Sequence, residues 1–204
     1  MIAAAFPSVF PSFRGSLGVM TERRKGGATY DDIVAAPDDK IAELISGELY
    51  FSPRPVLRHS QVLSALGSDL HDAFQRGRSG PGGWWLLDEP ELHLAGDVLV
   101  PDIAGWKRER LPAIPDTAGM ELPPDWVCEI LSPSTSRFDR LQKMPRYALA
   151  EVGHLWLVDP GLRQLDVFRR EGFEWRSIET HRGDALVSAP PFEAVAIELG
   201  AVWG

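Results

Sequence analysis

Two acidic residues stand in stretches of the sequence that are otherwise apolar. Asp102 lies in VLVPDIAGW and Glu129 in WVCEIL, and both stretches have the length and composition of buried strands. An ionised carboxylate in an apolar setting is costly unless it is paired with a cation, protonated or bound to a metal. Lys143 follows in a helix-like segment with a mostly apolar background. These three residues mark a candidate active site.

Carboxylates from two neighbouring strands would suit a divalent metal. If the strands that carry Asp102 and Glu129 are adjacent, both side chains can project from one sheet face toward a common point, where oxygen ligands favour Mg²⁺. A metal held there polarises a phosphoryl oxygen and lowers the pKa of a bound water, which then attacks the phosphorus. Lys143 would orient that water or offset developing negative charge.

Each of these residues also has a structural interpretation. Asp102 follows a proline, and proline with aspartate is typical of a turn at the end of a strand. Glu129 could instead form a buried structural ion pair, although an acid inside an apolar strand favours a functional site. Lys143 could pair with Asp139 one turn earlier, in a surface contact of small energy.

Two further residues are candidates for a supporting role. Glu43 alternates with Ile41 and Ile45, so a strand would place all three on one face. Its acid would then either join the metal site or lie at an exposed edge. His59 begins a helix-like segment, where it would either serve the helix end or contribute through its two charge states.

The elements around these residues alternate between helix and strand. A short helix capped by Thr29 precedes two strand-like runs that flank Ser46-Gly47, which predicts a hairpin. An amphipathic helix follows, and then WWLLDEPELHL and VLVPDIAGW as two strands and WVCEIL as a third. RFDRLQKMPRYALA predicts a helix that Pro145 kinks or breaks, and HLWLVDP predicts another strand. The C-terminal part favours further antiparallel strands.

Length and composition fit a single folded domain. The 204 residues are 44% hydrophobic and 25% charged. Prolines and glycines interrupt residues 1–27, which lack the features of a membrane span or signal peptide, so we expect a poorly ordered extension before one domain at 28–204. The single cysteine, Cys128, favours the cytoplasm. Because the net charge is −8, a nucleic acid would have to be bound by a local basic patch or through metal ions.

Several short motifs occur together between residues 41 and 166. They are ELISGE at 43–48, His59-Ser60, Pro101-Asp102, Glu129 followed by ILSP, Lys143 with Tyr147, and WLVDP at 156–160. As a set, they resemble the widespread bacterial "putative restriction endonuclease" family, which belongs to the PD-(D/E)xK nuclease superfamily.

This resemblance implies a fold of the α/β (α+β) class with a restriction-endonuclease-like core. Helices would flank a central mixed sheet, with β-hairpins added on the N-terminal and C-terminal sides. Asp102 and Glu129 would bind Mg²⁺ or Mn²⁺ together with the backbone carbonyl of Ile130. The superfamily pattern has its lysine two residues after the strand acid, where this chain has Leu131, so Lys143 would supply the amine from the adjacent helix.

Two functions are consistent with these residues. The first is a metal-dependent endonuclease that hydrolyses phosphodiester bonds in DNA, and the complete set of two acids and a lysine favours it. The second is a catalytically inactive protein of the same fold that binds nucleic acid or a protein partner. Duplex cleavage needs two active sites or two encounters, and open sheet edges need cover, so we expect a homodimer and no membrane association.

Overall fold

The computed structural model describes residues 22–24 and 26–204, which form a mixed α+β fold as predicted. Most of the extension predicted for residues 1–27 lies outside the described residues. The described part of this extension includes strand β1 (Glu22–Arg24), which pairs antiparallel with a later strand. No helix in the described part of the chain is long and apolar enough to cross a membrane.

The first described elements are helix α1 (Tyr30–Val34) and the strands β2 (Lys40–Ile45) and β3 (Glu48–Pro53). Thr29 precedes α1, and its backbone N–H donates to Asp32 Oδ2 at 2.8 Å. Between the two strands, Ser46 and Gly47 have φ angles of 52° and 71°, the left-handed conformation that a tight two-residue hairpin turn needs. The predicted hairpin is confirmed.

Helix α2 (Leu57–Leu70) continues into a π-helical turn (His71–Gln75) and is followed by β4 (Trp84–Asp88), β5 (Glu91–Leu94), β6 (Asp97–Leu99) and β7 (Ile103–Lys107). The prediction of two long strands for this last part is wrong. Glu89, with a φ of 47°, and Pro90 break the first, and Pro101 breaks the second. Proline has no N–H to donate to a strand partner, so the chain leaves one sheet and enters another at these points.

The central part continues with β8 (Gly119–Met120), β9 (Trp126–Ile130), helix α3 (Ser136–Phe138), a second π-helical turn (Asp139–Lys143), α4 (Met144–Leu149) and β10 (His154–Asp159). The break predicted at Pro145 takes the form of this π-helical turn, which ends just before the proline. Pro145 cannot donate to a carbonyl in the preceding turn, and wider π-helical turns accommodate such gaps.

The C-terminal part contains β11 (Gln164–Glu171), β12 (Glu174–Arg182), β13 (Leu186–Val187), β14 (Ile197–Glu198) and helix α5 (Leu199–Trp203). The long strands β11 and β12 form an antiparallel hairpin, as predicted. This hairpin pairs with β10 and so extends the central sheet.

Two six-stranded sheets organise the described residues. The central sheet has the order β12-β11-β10-β9-β7-β4, in which only β9 and β10 are parallel. The other has the order β1-β3-β2-β6-β5-β8, so the N-terminal hairpin is part of a second sheet and not a simple addition. Helices α2 and α5 pack on one face of the central sheet, and the second sheet and α4 cover its opposite face.

Strand β9 is buried along its whole length because it is covered on both faces. Successive side chains of a strand point to opposite faces. Trp126 therefore packs on the α2 side, where it lies edge-on to Trp156 and Phe192 with ring centroids 5.3 and 4.9 Å apart. Glu129 points to the opposite face, toward α4 and the second sheet.

The Ser46-Gly47 turn yields a stability prediction. Alanine at Gly47 would meet no atom closer than 3.9 Å but would have to keep a φ of +71°, so we expect Gly47→Ala to lower the free energy of unfolding by about 1–2 kcal/mol. Gly67→Ala is the matched control. Gly67 is helical with room for a Cβ, so this change should raise the free energy by about 0.5–1 kcal/mol. Urea unfolding measures both, and a shift of the same sign in both variants would contradict the assigned turn.

Candidate active site

Asp102 lies in the link between β6 and β7, one residue before β7 begins. Its Oδ2 accepts the backbone N–H of Ile130 at 2.6 Å, and its Oδ1 lies 3.0 Å from His59 Nε2. The carboxylate is thus held by β9 on one side and α2 on the other. The residue is at the ends of strands in the middle of the central sheet, and not at a lateral edge of that sheet.

Glu129 is 2% exposed and occupies the fourth position of β9. Its Oε1 accepts the phenol O–H of Tyr147 at 2.6 Å and lies 2.8 Å from Lys143 Nζ, while its Oε2 accepts from the same amine at 3.0 Å. Tyr147 comes from α4, so the helical segment that follows β9 folds back over its acid.

The amine of Lys143 contacts three acceptors. It donates to Val100 O at 2.8 Å and to Glu129, and it lies 3.2 Å from Glu43 Oε1. These acceptors match the three hydrogens of an ammonium group. The amine is also 4.0 Å from Asp139 Oδ1, but the lysine is 3% exposed, so this contact is not the surface pair considered from the sequence.

Glu43 and His59 are both buried beside these residues. Glu43 Oε1 accepts the backbone N–H of Val100 at 2.9 Å, so this acid lies inside the molecule and not at an exposed edge. His59 occupies the first turn of α2, and its Nδ1 is buried with no hydrogen-bond partner within the described residues. Its other ring nitrogen faces Asp102.

A cavity of about 120 Å³ collects these side chains. All six residues selected from the sequence line it: Glu43, His59, Asp102, Glu129, Ile130 and Lys143. Asp139 lines it as well and was not selected as a site residue, although its spacing of four residues from Lys143 offered a signal. Tyr147, which the sequence offers only as part of a motif with Lys143, donates to Glu129.

Burial and mutual repulsion shift the pKa values of this cluster. Burial raises the pKa of Glu129 well above its usual range, although Lys143 opposes the shift. Burial likewise raises the pKa of Asp139 to about 7, with Lys143 lowering it and Asp102 and Glu43 adding to the rise. For Lys143, burial lowers the pKa, but the surrounding carboxylates outweigh burial and leave it above its ordinary value. The amine therefore stays protonated at neutral pH.

The charges around the cavity are not balanced. Four carboxylates line the cavity around one ammonium group, and His59 beside Asp102 is a further group that can carry positive charge. Burial lowers the pKa of His59, but the hydrogen bond and charge of Asp102 outweigh that effect and raise it. A surplus of buried negative charge is what a divalent cation would neutralise.

The metal implied by the resemblance fits the donors that are present. Among the described residues, no three His, Cys, Asp or Glu side chains form a group that could hold a metal ion. The predicted ligand set is smaller, with the carboxylates of Asp102 and Glu129 and the carbonyl of Ile130. Oxygen donors of this kind suit Mg²⁺ and Mn²⁺. A carboxylate has about four acceptor positions, so the hydrogen bonds to these two acids leave positions for a cation.

Asp139 should make the metal-free protein more stable in acid. Its carboxyl has a pKa of about 7 in the folded state against an ordinary 3.8, so between those values the folded protein keeps a proton that the unfolded chain has lost. The free energy of unfolding must then fall as pH rises through that window. We expect Asp139→Asn to reduce the dependence of stability on pH, although Glu129, whose pKa is also raised, should preserve part of it. Melting temperatures in EDTA from about pH 4 to about pH 8 measure this dependence.

The matched control for this experiment is Asp116→Asn, which removes an exposed acid of the loop before β8. This variant should keep the slope of the parent protein. An unchanged slope in Asp139→Asn would contradict the interpretation that the buried carboxyl takes up a proton.

Comparison with known proteins identifies relatives of this chain. The model of the Uma2 family, described as "Putative restriction endonuclease", matches residues 28–200. The fold is similar to that of a solved structure titled as a "putative nuclease belonging to DUF820" from Anabaena variabilis ATCC 29413, with a TM-score of 0.69 and 23% sequence identity over 86% of this chain and 97% of that chain. No curated protein matches. With a match across most of its length, the chain belongs to the Uma2 "Putative restriction endonuclease" family.

Proposed function

We propose that this protein is a metal-dependent endonuclease that hydrolyses phosphodiester bonds in DNA. One observation carries the proposal: Asp102, Glu129 and Lys143, from three different parts of the chain, line a single cavity in which negative charge is in surplus. The description of the family supports nuclease activity. The same three residues support assignment to the PD-(D/E)xK superfamily, with the lysine displaced from the strand to the helical segment.

The carboxylates of Asp102 and Glu129 and the carbonyl of Ile130 would hold the metal. When bound, Mg²⁺ or Mn²⁺ polarises the phosphoryl group and lowers the pKa of water. The protein itself fixes the two acids before any ligand arrives. The Ile130 N–H and His59 orient Asp102, and Tyr147 orients Glu129. Such hydrogen bonds to ligating groups set their direction and basicity.

Lys143 acts as a fixed positive charge in this proposal. Its raised pKa keeps it protonated, so it can stabilise negative charge that develops on the phosphoryl oxygens but cannot serve as a general base near neutral pH. All three hydrogens of the ammonium group already have acceptors, so Lys143 can orient a water only if it gives up one of these contacts. The contact with Glu43 is the longest, at 3.2 Å. In the absence of such a water, Glu43 supports the lysine from the second sheet.

The alternative is a catalytically inactive protein of the same fold that binds nucleic acid or a protein partner. The saturation of the lysine amine favours it, because the ammonium group already has three acceptors without any ligand. Metal binding and cleavage distinguish the two functions, since a network of purely structural ion pairs would need neither.

Glu129→Gln tests the enzyme directly. The amide keeps an oxygen for Tyr147 but removes the charge, so we expect nicking of plasmid DNA with Mn²⁺ to fall at least ~100-fold. We also expect the rise in melting temperature that Mn²⁺ causes in the parent protein to disappear, because a ligand stabilises only the state that binds it. Glu174→Gln, at an exposed position of β12, is the control and should change neither measurement. A parent protein with neither nicking nor a metal-dependent shift would leave the inactive alternative.

Lys143→Met separates charge compensation from metal binding. Loss of the ammonium leaves the buried carboxylates of Glu43, Glu129 and Asp139 without the cation beside them, so in EDTA the free energy of unfolding should fall by about 3–5 kcal/mol. Mn²⁺ should then raise the melting temperature of this variant more than that of the parent protein, while nicking stays low. A smaller metal-induced rise than in the parent would show that the lysine is needed for metal binding and would contradict the assigned role.

A homodimer in the cytoplasm completes the proposal. Two copies would supply the two active sites that duplex cleavage needs, and the single buried cysteine suits a reducing compartment. Sedimentation velocity at micromolar concentration tests the assembly, and a monomer under those conditions would count against it.

A further inference from the structure

A short segment beside the cavity combines positive charge with exposed apolar side chains. It has the sequence RPVLR at residues 54–58, links β3 to α2, and is called the rim segment below. Val56 is 62% exposed and Leu57 is 90% exposed, and Arg54 and Arg58 on either side of them are exposed as well. Adjacent aliphatic side chains that are exposed to solvent beside charged residues are typical of a surface that contacts a ligand.

The rim segment is part of the wall of the candidate active site. Arg54, Pro55 and Val56 line the cavity, and His59, which faces Asp102, follows in the same helical turn as Arg58. A molecule bound on the rim segment would therefore lie directly at the cavity mouth.

A third arginine follows another wall of the same cavity along the chain. Ser134 and Thr135 line it, and the exposed Arg137 follows two residues later. Within residues 26–204, neither Arg54, Arg58 nor Arg137 forms an ion pair with a carboxylate, and Arg54 donates to the backbone carbonyl of Asp38 instead. Six other arginines do pair with acids: Arg110, Arg140, Arg146, Arg163, Arg169 and Arg176.

These charges supply the basic patch that an acidic protein needs if it is to bind a polyanion. The chain as a whole carries −8, and the carboxylates inside the cavity add local repulsion toward phosphate. Guanidinium groups without a carboxylate partner, in the rim segment and two residues after Thr135, would offset that repulsion and match phosphate geometry. The aliphatic side chains between them suit the face of a base, which is accessible only where the strand is not paired and stacked in a duplex.

We propose that the rim segment and Arg137 bind an unpaired nucleic-acid strand across the cavity mouth. Arg54, Arg58 and Arg137 contact phosphates on either side of the bond to be cleaved, and Leu57, with Val56 beside it, packs against a base. This inference rests on the proposed function, because it assigns the substrate of the same site: a single strand, or a duplex opened locally.

The test is binding without cleavage, measured by fluorescence anisotropy in EDTA with a short labelled single-stranded DNA and its duplex over a salt series. Arg54→Ala, Arg58→Ala and Arg137→Ala should each weaken single-strand binding and reduce the slope of log K against log salt by about 0.7, the value for one lost phosphate contact on a single strand. Leu57→Ser should weaken single-strand binding and leave the slope unchanged, because it removes an apolar contact.

Arg76→Ala is the matched control. Arg76 is also exposed and follows the far end of α2, on the order of 25 Å from Arg58 along the helical axis, so its loss removes the same charge away from the cavity. It should leave both affinity and slope unchanged. All five positions are exposed, so melting temperatures should stay close to the parent value and changes in binding can be assigned to contacts.

The outcomes separate this inference from the proposed nuclease activity. Three outcomes would overturn the inference even if the parent nicks DNA with Mn²⁺. They are that neither DNA binds, that the rim variants bind like the parent protein, or that Arg76→Ala has an equal effect. Tighter binding to the duplex, with no effect of Leu57→Ser, would overturn the preference for an unpaired strand. Rim-dependent binding without any metal-dependent cleavage would support the inference and refute the proposed nuclease.

Discussion

The buried ammonium group of Lys143 is the interaction on which the rest of the site depends. It joins Glu43 of the second sheet, Glu129 of the central sheet and the Val100 carbonyl in the link between them. Each of these carboxylates would be strongly disfavoured in its apolar surroundings without a nearby cation. One amine therefore links the two sheets at the cavity.

The helical segment after β9 provides that amine by departing from regular α-helical geometry. The π-helical turn Asp139–Lys143 directs both of its terminal residues inward, and it ends two residues before Pro145. Tyr147 in the next turn adds a hydrogen bond to Glu129. Short π-helical segments are rare and occur often at functional sites. This one places the ammonium group of Lys143 in the candidate active site.

Stability and function oppose each other in this cluster. Four carboxylates around one lysine leave negative charge uncompensated, which burial makes expensive and which raises the pKa values of Glu129 and Asp139. Natural proteins tolerate such conflicts mainly where function needs them. A divalent cation in the cavity would relieve the repulsion, and the same surplus charge would repel a phosphate, which is the repulsion that the proposed arginine contacts would offset.

Local physical chemistry let the sequence alone predict the Ser46-Gly47 hairpin and the acids most in conflict with their surroundings, whereas the fold class was implied by the family resemblance. A two-residue turn needs only its own φ angles, and an acid in an apolar run is out of place wherever the chain folds. Tertiary structure alone decided that Glu43 is buried, because its partner Val100 is 57 residues away. It also split the predicted strands at prolines between two sheets and placed Asp139 in the cavity. Those outcomes depend on which elements pack together, and residues distant along the chain determine that packing.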